Sequence, residues 1–338
     1  MKVLVTGCAG FIGFHVLKKL AETNNMIVGI DNMDKYYDTK LKRDRIDIIK
    51  KIVPKNKFIF VKGDILNKNL LNNLIKKHKI KKIIHLAAQA GVRHSISNPK
   101  KYIDANIVGF FNILEISREN KISHLIYAST SSVYGSNKNY PFVEKKSADH
   151  PIQLYAATKR SNEIMAHAYS SMFKIPTTGL RFFTAYGPFG RPDMALYLFA
   201  KNISQNKKIN VFNNGNHTRD FTYVDDIADA VVKIFKAGFK KEKNWNNKNP
   251  DIGSSEAPFT VLNIGSGKKI KLMKYIKLIE KEIGKKSKKK YLSLQKGDIQ
   301  KTQANINKLE NLYKFNCSTP VEIGIKKYIK WFKQYYKY

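Results

Sequence analysis

Short apolar runs of strand length punctuate the first half of the chain: KVLVTG (2–7), MIVGID (26–31), FIFVKGD (58–64), KIIHLAA (82–88), HLIYAST (124–130) and TTGLRFF (177–183). Between them the apolar positions change to helical spacing, as at Phe14, Val16, Leu17 and Leu20 and again at Ile107, Phe110, Phe111, Ile113 and Leu114. Strand and helix patterns that alternate in this way predict an α/β fold built on a doubly wound parallel sheet. After residue 185 the alternation weakens. Loops rich in Gly, Asn and Pro are expected over 185–220 and 244–268, and a last helix pattern closes on YIKWFKQYYKY. No repeat of 20–50 residues and no Pro-rich or Gly/Ser-rich linker is present, so a second lobe must be woven into the first. The expected division is 1–180 for the sheet unit, with segments around 225–240 and 261–265 returning to it. Most of 181–338 then forms a smaller C-terminal lobe that closes over a substrate.

A chain of 338 residues is long enough for one large α/β unit with such a lobe. It starts directly on a strand pattern, MKVLVTG, with no charged leader, and no run approaches the length of a membrane span. The two cysteines, Cys8 and Cys317, imply no disulfide framework and suit a reducing cytoplasm. The formal net charge of +36 raises nucleic acid or an anionic membrane as partners. Its lysines are nonetheless scattered through helices and loops, and only KKSKKK at 285–290 forms a block, expected as a solvated loop. Basic stripes interleaved with aromatic residues are not evident, so no nucleic acid and no membrane is expected, whereas so positive a field speeds capture of a small anionic substrate.

Candidate chemistry begins at TGCAGFIGFHV, which sets Gly7, Gly10 and Gly13 between the first strand and the first helix. Glycine there permits a tight turn, close approach to a pyrophosphate and close helix packing, and the helix N-terminus favours the anion. The unit reads as a Rossmann dinucleotide site. Asp31 ends the second strand 18 residues beyond Gly13, where a carboxylate accepts from ribose hydroxyls and repels a 2'-phosphate, favouring NAD over NADP. Asp64 ends the third strand and serves either an adenine contact or a simple loop cap. YAATK then puts Tyr155 and Lys159 at i, i+4 on one helix face. An ammonium beside a phenol favours the phenolate, so Tyr155 is the candidate base. Upstream, YASTSSVYG strings Ser129, Thr130, Ser131 and Ser132 along a strand end. No His/Cys/Asp/Glu cluster has metal-ligand spacing, so no metal is expected.

Together the GxxGxxG loop, HLAA, AST and YxxxK resemble the extended short-chain dehydrogenase/reductase superfamily, the NAD-dependent epimerase/dehydratase family, in its nucleotide-sugar branch. The resemblance runs on through NPKKYIDANIVGFFNILE, LRFFTAYGP, RDFTYVDDIADA, LNIGSG and GDIQKT. Within that branch GIDNMDKYYDTKLKRDR, AAQAGVRHSISNP and FFTAYGPFGRPDMAL are similar to the UDP-glucuronate 4-epimerase subgroup. The resemblance implies NAD held by Gly7, Gly10, Phe11, Ile12, Gly13, Asp31, Asn32, Asp64, Ile65, Leu86, Ala87, Ala88 and Gln89, by Asn106 as a positioning group, and by Tyr155 and Lys159. His85 is a packing residue in this reading. The resemblance further implies that Arg191 and Arg219 face the substrate and that Asp298 takes the uridine ribose. Lys296 stands where close relatives have Pro. Arg93 reaches the sugar carboxylate or the diphosphate, or else holds its loop by a salt bridge.

The serines divide the branch's chemistries. Family dehydratases carry Asp-Glu at the positions of Ser131 and Ser132, and decarboxylases of UDP-glucuronate carry Glu at the position of Ser132. A serine is a poor proton carrier, so the row argues for a reaction that Tyr155 and NAD complete alone. Oxidation at C4 and return of the hydride to the opposite face is such a reaction, with Thr130 bridging Tyr155 and the 4-hydroxyl. Ser131, Ser132 and Thr184 would hold a uronate carboxylate away from the geometry that loses carbon dioxide, unless the serines are only a turn satisfying backbone groups. The expected enzyme is an NAD-dependent 4-epimerase, a cytoplasmic homodimer joined through the helices around 104–120 and 155–172, and a source of sugar donors for polysaccharide synthesis. Its rivals are an epimerase of a neutral UDP-hexose or UDP-N-acetylhexosamine, a non-catalytic NAD-binding regulator, and a nucleic-acid binder.

Overall fold

The computed structural model describes residues 1–242 and 245–338. Six strands, β1 (Lys2–Thr6), β2 (Met26–Asp31), β3 (Phe58–Lys62), β4 (Lys82–His85), β5 (His124–Thr130) and β6 (Thr177–Phe182), fall within the six apolar runs. A seventh strand, Phe259–Ile264, pairs with β6, and the order across the sheet is β3-β2-β1-β4-β5-β6 followed by that strand. Every neighbouring pair is parallel. A parallel sheet must be covered on both faces, and β1 shows how its sequence meets this demand. Val3 and Val5 point into one core with Phe14, Val16 and Leu17 of helix α1 (Phe11–Ala21) and with the helix Val224–Ala237. Leu4 points into the other, with Phe110, Ile113 and Ile116 of the helix Gly109–Glu119.

The second lobe has its own core, in which the rings of Phe221 and Tyr275 stack at 3.9 Å and Tyr186, Ile276, Val321 and Phe332 surround them. Its strands come in pairs: Thr184–Tyr186 with Phe221–Tyr223, Lys208–Phe212 with Lys288–Leu292, and Thr218–Arg219 with Ile270–Lys271. Three expectations change here. The stretch 185–220 holds a helix, Ala195–Ser204, whose Leu196, Phe199, Ala200 and Ile203 are buried at helical spacing. The expected loop 244–268 contains the seventh strand, while its first residue, Asn244, lies outside the described residues. The lysine block is not a loop either, because Lys288–Lys290 begin the strand beside Lys208–Phe212. Alternation makes this possible, since Lys288 and Lys290 face solvent while Lys289 turns inward to Glu280 at 2.8 Å. Among the described residues no helix is long and apolar enough to cross a membrane.

One buried network sets the sheet against the helix Leu154–Phe173. Arg181 on β6 donates through Nε and Nη2 to Glu163 at 2.9 and 2.8 Å, and both side chains are fully buried. Ser129 on β5 donates to the same carboxylate at 2.6 Å. Burial works to raise the Glu163 pKa, but Arg181 and Ser129 outweigh it and hold the carboxyl below its ordinary value. Removing one partner of such a pair strands the other charge in the interior. Glu163→Ala is therefore expected to lower unfolding stability by about 3–5 kcal/mol. Urea unfolding measures it, and a loss below about 1 kcal/mol, the worth of a surface pair, would contradict the reading.

Candidate active site

The carboxyl ends of the strands open into a cleft of about 400 Å³, a size usual for small-molecule sites. At one end lies the turn between β1 and α1. Gly7 has φ +68°, and a Cβ there would meet Ala87 N at 2.6 Å. A Cβ on Gly13 would stand 2.2 Å from the Gly7 carbonyl oxygen. Both glycines are thus required by backbone packing, Gly7 against the segment after β4 and Gly13 within the turn itself, and the tight approach sets the N-terminus of α1 against the cleft, where an anion is favoured. A dinucleotide fits this cradle. Asp31 closes β2 and is buried, accepting from the backbone N–H of Ala9 and Met33 at 3.1 and 2.8 Å, with Lys42 Nζ 3.7 Å away. Asn32 donates to Asp64 at 2.9 Å, and Asp64 also caps the backbone N–H of Leu66 at 2.9 Å, so the loop-cap alternative for Asp64 describes its contacts. Leu86, Ala87, Ala88 and Gln89 line the wall after β4, with Phe11, Ile12 and Ile65 opposite them.

The other end is formed where β5 meets the helix Leu154–Phe173, and Thr130, Tyr155, Lys159 and Thr184 line it. A π-helical segment, Ile103–Val108, carries Asn106 inward. Asn106 accepts from the Gln89 N–H at 2.8 Å and donates to Thr158 at 3.0 Å, so it joins the wall after β4 to the Tyr155 helix without lining the cleft. His85 is buried with Nδ1 2.8 Å from the Thr6 hydroxyl, and burial pushes its pKa well down. Lys159 donates to Asn162 at 2.7 Å, and burial lowers its pKa to about 7 although Glu163 works to raise it.

Burial also raises the Tyr155 pKa, and the groups that oppose it are the Thr130 hydroxyl and the Arg191 charge. This differs from the expectation that Lys159 favours the phenolate. The physical reason is that Lys159 is itself stripped of water and turned to Asn162, while Arg191 brings its charge to the cleft from the second lobe. Arg191 is paired with Asp193 through Nε and Nη2 at 2.9 and 2.5 Å, and Tyr36 donates to the same carboxylate at 3.0 Å.

Ser131 and Ser132 open a 3₁₀ turn, Ser131–Tyr134, that runs off the cleft wall, and they are not among its lining residues. The Thr130 hydroxyl accepts from the Ser132 N–H at 3.2 Å, but among the described residues neither serine hydroxyl has a protein partner. Arg219 and Asp298 lie away from the cleft lining and are paired to each other at 2.9 Å, with His217 Nε2 3.1 Å from the second carboxylate oxygen. Arg93 is over the Phe212 ring at 4.9 Å, spanning the two lobes, and among the described residues it makes no salt bridge; burial works to raise the Asp298 pKa, but His217 and Arg219, with Arg93 adding last, hold it below the ordinary carboxylate value. Sequence reasoning missed Tyr36, Tyr37, Lys42, Phe183 and Met194 as lining residues. The first three sit in the DNMDKYYDTKLK string, whose run of polar and aromatic residues after a strand end was the available signal. Among the described residues no group of three side chains could hold a metal ion.

Comparison with known proteins gives the same outline. The model of the NAD dependent epimerase/dehydratase family matches residues 3–246. Protein CapI of Staphylococcus aureus is 48% identical over the whole of both chains. A probable UDP-glucuronate 4-epimerase of Rhizobium meliloti is 43% identical over 100% of this chain and 98% of its own. Among solved structures, the UDP-glucuronic acid 4-epimerase of Bacillus cereus, in complex with UDP-glucuronic acid and NAD, superposes with a TM-score of 0.88 at 33% identity, covering 99% of this chain and 100% of that one.

The lowered Lys159 pKa has a stability consequence. Between pH 7 and an ordinary lysine's 10.5 the unfolded chain keeps a proton that the folded chain has released, so stability rises with pH. In cofactor-stripped protein the stability advantage of Lys159→Met over the wild type is expected to be largest below pH 7. It should shrink by about 1.4 kcal/mol per pH unit above it. Denaturant unfolding at pH 6, 7.5 and 9 measures this, and a difference that does not change with pH would contradict it.

Proposed function

The chain belongs to the NAD dependent epimerase/dehydratase family, and from that membership we propose that it is an NAD-dependent 4-epimerase interconverting UDP-glucuronate and UDP-galacturonate. One observation carries the choice of reaction. The carboxylates that line the cleft, Asp31, Asp34 and Asp64, all lie at or beyond the ends of β2 and β3, whereas Thr130, Tyr155 and Lys159 gather at β5, with β1 and β4 between the two groups. No carboxylate is among the groups that act on Tyr155. Elimination and assisted decarboxylation need a second proton carrier within hydrogen-bond reach. Borrowing and returning a hydride does not.

A bound NAD would supply the hydride acceptor and donor for C4 and a cationic ring in its oxidised form. Asp31 receives the adenosine ribose, and the turn at Gly7–Gly13 with the N-terminus of α1 receives the pyrophosphate. Tyr155 takes the proton of the 4-hydroxyl and returns it. Thr130, which lines the cleft with Tyr155 and opposes the rise of its pKa, relays that proton contact to the sugar. Because burial holds the phenol protonated, the positive charges at this end of the cleft are what make Tyr155 a base. The sugar turns over between the two transfers. During that interval the 4-keto uronate is a β-keto acid, which loses carbon dioxide when its carboxylate stands perpendicular to the carbonyl plane. Thr184, which lines the cleft, holds the carboxylate as a neutral donor and supplies no proton, and Ser131 and Ser132, in the turn just beyond the lining and with hydroxyls free of a protein partner among the described residues, join that grip once the sugar is bound. Arg219 and Asp298 hold the diphosphate and the uridine ribose, exchanging their mutual pair for the ligand. In this reading residues 1–180 carry the cofactor and most of 181–338 the UDP-sugar.

Ser131→Ala with Ser132→Ala tests the carboxylate grip. Each lost hydrogen bond costs about 1 kcal/mol, more where the group is charged, so affinity for UDP-glucuronate should fall and some UDP-pentose should form. Bound NAD and any residual turnover of UDP-glucose should stay unchanged. Full-rate turnover of UDP-glucuronate without carbon dioxide release would reduce the serine row to a turn.

We also propose a cytoplasmic homodimer. Ile103, Val108 and Phe111 on one helical stretch and Ile164, Met172 and Phe173 on the Tyr155 helix expose apolar side chains that a second copy would cover. Two buried free cysteines suit a reducing compartment. Sedimentation at twice the chain mass is expected, and a monomer at micromolar concentration would refute the dimer.

A further inference from the structure

Helix α2 (Thr39–Ile52) runs beside the glycine-rich turn and carries two buried cations, Lys42 and Arg45. Lys42 has Asp31 near it as a counter-charge. Arg45, with no exposed surface, has none. Its Nη1 donates to the Ala9 carbonyl and to the Tyr37 hydroxyl, each at 2.7 Å, and its Nη2 donates to the Phe189 carbonyl at 2.6 Å. The Nε–H is buried without a partner. All three acceptors are neutral, and among the described residues no carboxylate lies within ion-pair distance of this guanidinium. Two other arginines are built differently: Arg181 in the sheet and Arg191 at the cleft are each held twice by one carboxylate.

A buried cation without a counter-ion is costly, and the cost is relieved when an anion comes close. The contacts of Arg45 say where that anion would be. Ala9 is inside the turn between Gly7 and Gly10, and Tyr37 lines the cleft. The third acceptor lies on the far side. Phe189 has φ +58° in the Gly187–Arg191 loop, its ring packs on Phe14 and Trp331, and the neighbouring Pro188 carbonyl is held by His15 at 2.9 Å. One guanidinium thus fastens the phosphate-facing turn of one lobe to the loop that leads into Arg191 of the other.

We propose that Arg45 is a positioning residue whose unpaired buried charge, set behind the glycine-rich turn, serves as counter-charge to the cofactor diphosphate and fastens that turn to the loop carrying Arg191. The proposal rests on the dinucleotide reading of the cleft. It assigns Arg45 a role through charge rather than through shape, and Arg45→Lys and Arg45→Gln separate the two. Cofactor-stripped wild type and both variants are titrated calorimetrically with NAD, ADP and adenosine, after circular dichroism has checked that each is folded. Arg45→Gln is expected to weaken NAD and ADP about tenfold and adenosine by less than about twofold, while Arg45→Lys stays within about threefold of wild type for all three ligands. Unchanged ADP affinity in Arg45→Gln, or an equal loss in Arg45→Lys, would overturn the charge role. Should Arg45→Gln not fold, Arg45→Lys decides, since a tenfold loss of ADP with the charge retained refutes it and near-wild-type affinity supports it. Failure of wild type to bind NAD would instead remove the dinucleotide reading itself.

Discussion

The spacing between β5 and the helix Leu154–Phe173 governs everything the cleft can do, and the Arg181–Glu163–Ser129 network fixes that spacing. Thr130 follows Ser129 directly, and Lys159 precedes Glu163 by one helical turn. A shift of the helix along the sheet would therefore have to break a doubly donated, fully buried ion pair. Interiors are packed too densely to absorb such a shift. The arrangement makes the placing of Thr130 and Tyr155 in one part of the cleft a property of the fold rather than of the ligand.

Burial presses on the two groups of the proton site in one direction, toward the neutral forms. It raises the Tyr155 phenol and lowers the Lys159 ammonium. Against that burial of the phenol stand the Thr130 hydroxyl and the charge of Arg191, whose place depends on Asp193 and through it on Tyr36. Tyr36 belongs to the segment after β2, which lines the cleft beside Asp31. Hydrogen bonds thus tie Tyr36 to Arg191 through Asp193, and the charge of Arg191 carries the link on to Tyr155.

Much of this was legible in the sequence. The six apolar runs coincide with strands because a parallel sheet buried on both faces needs continuous apolar residues, and the i, i+4 spacing of Tyr155 and Lys159 follows from helix geometry alone. The second lobe was less legible because its strands are two to five residues long and paired in twos, too short for a periodic signal. The helix Ala195–Ser204 had the signal and was obscured by the Gly and Pro residues before it. Arg191 could be placed near a substrate by resemblance, but its action on Tyr155 depends on a contact between residues 36 positions apart, which no local pattern records. The same holds for Arg45, whose acceptors lie at residues 9, 37 and 189.

The most direct test is the reaction itself, run in D₂O with purified protein and UDP-glucuronate and followed by NMR and mass spectrometry. A hydride that is borrowed and returned within one site never exchanges with solvent. The account predicts UDP-galacturonate carrying ordinary hydrogen at C4, in equilibrium with its substrate, with almost no UDP-pentose, and no product at all from Tyr155→Phe. Deuterium at C4, a pentose as the main product, or turnover by Tyr155→Phe would contradict it.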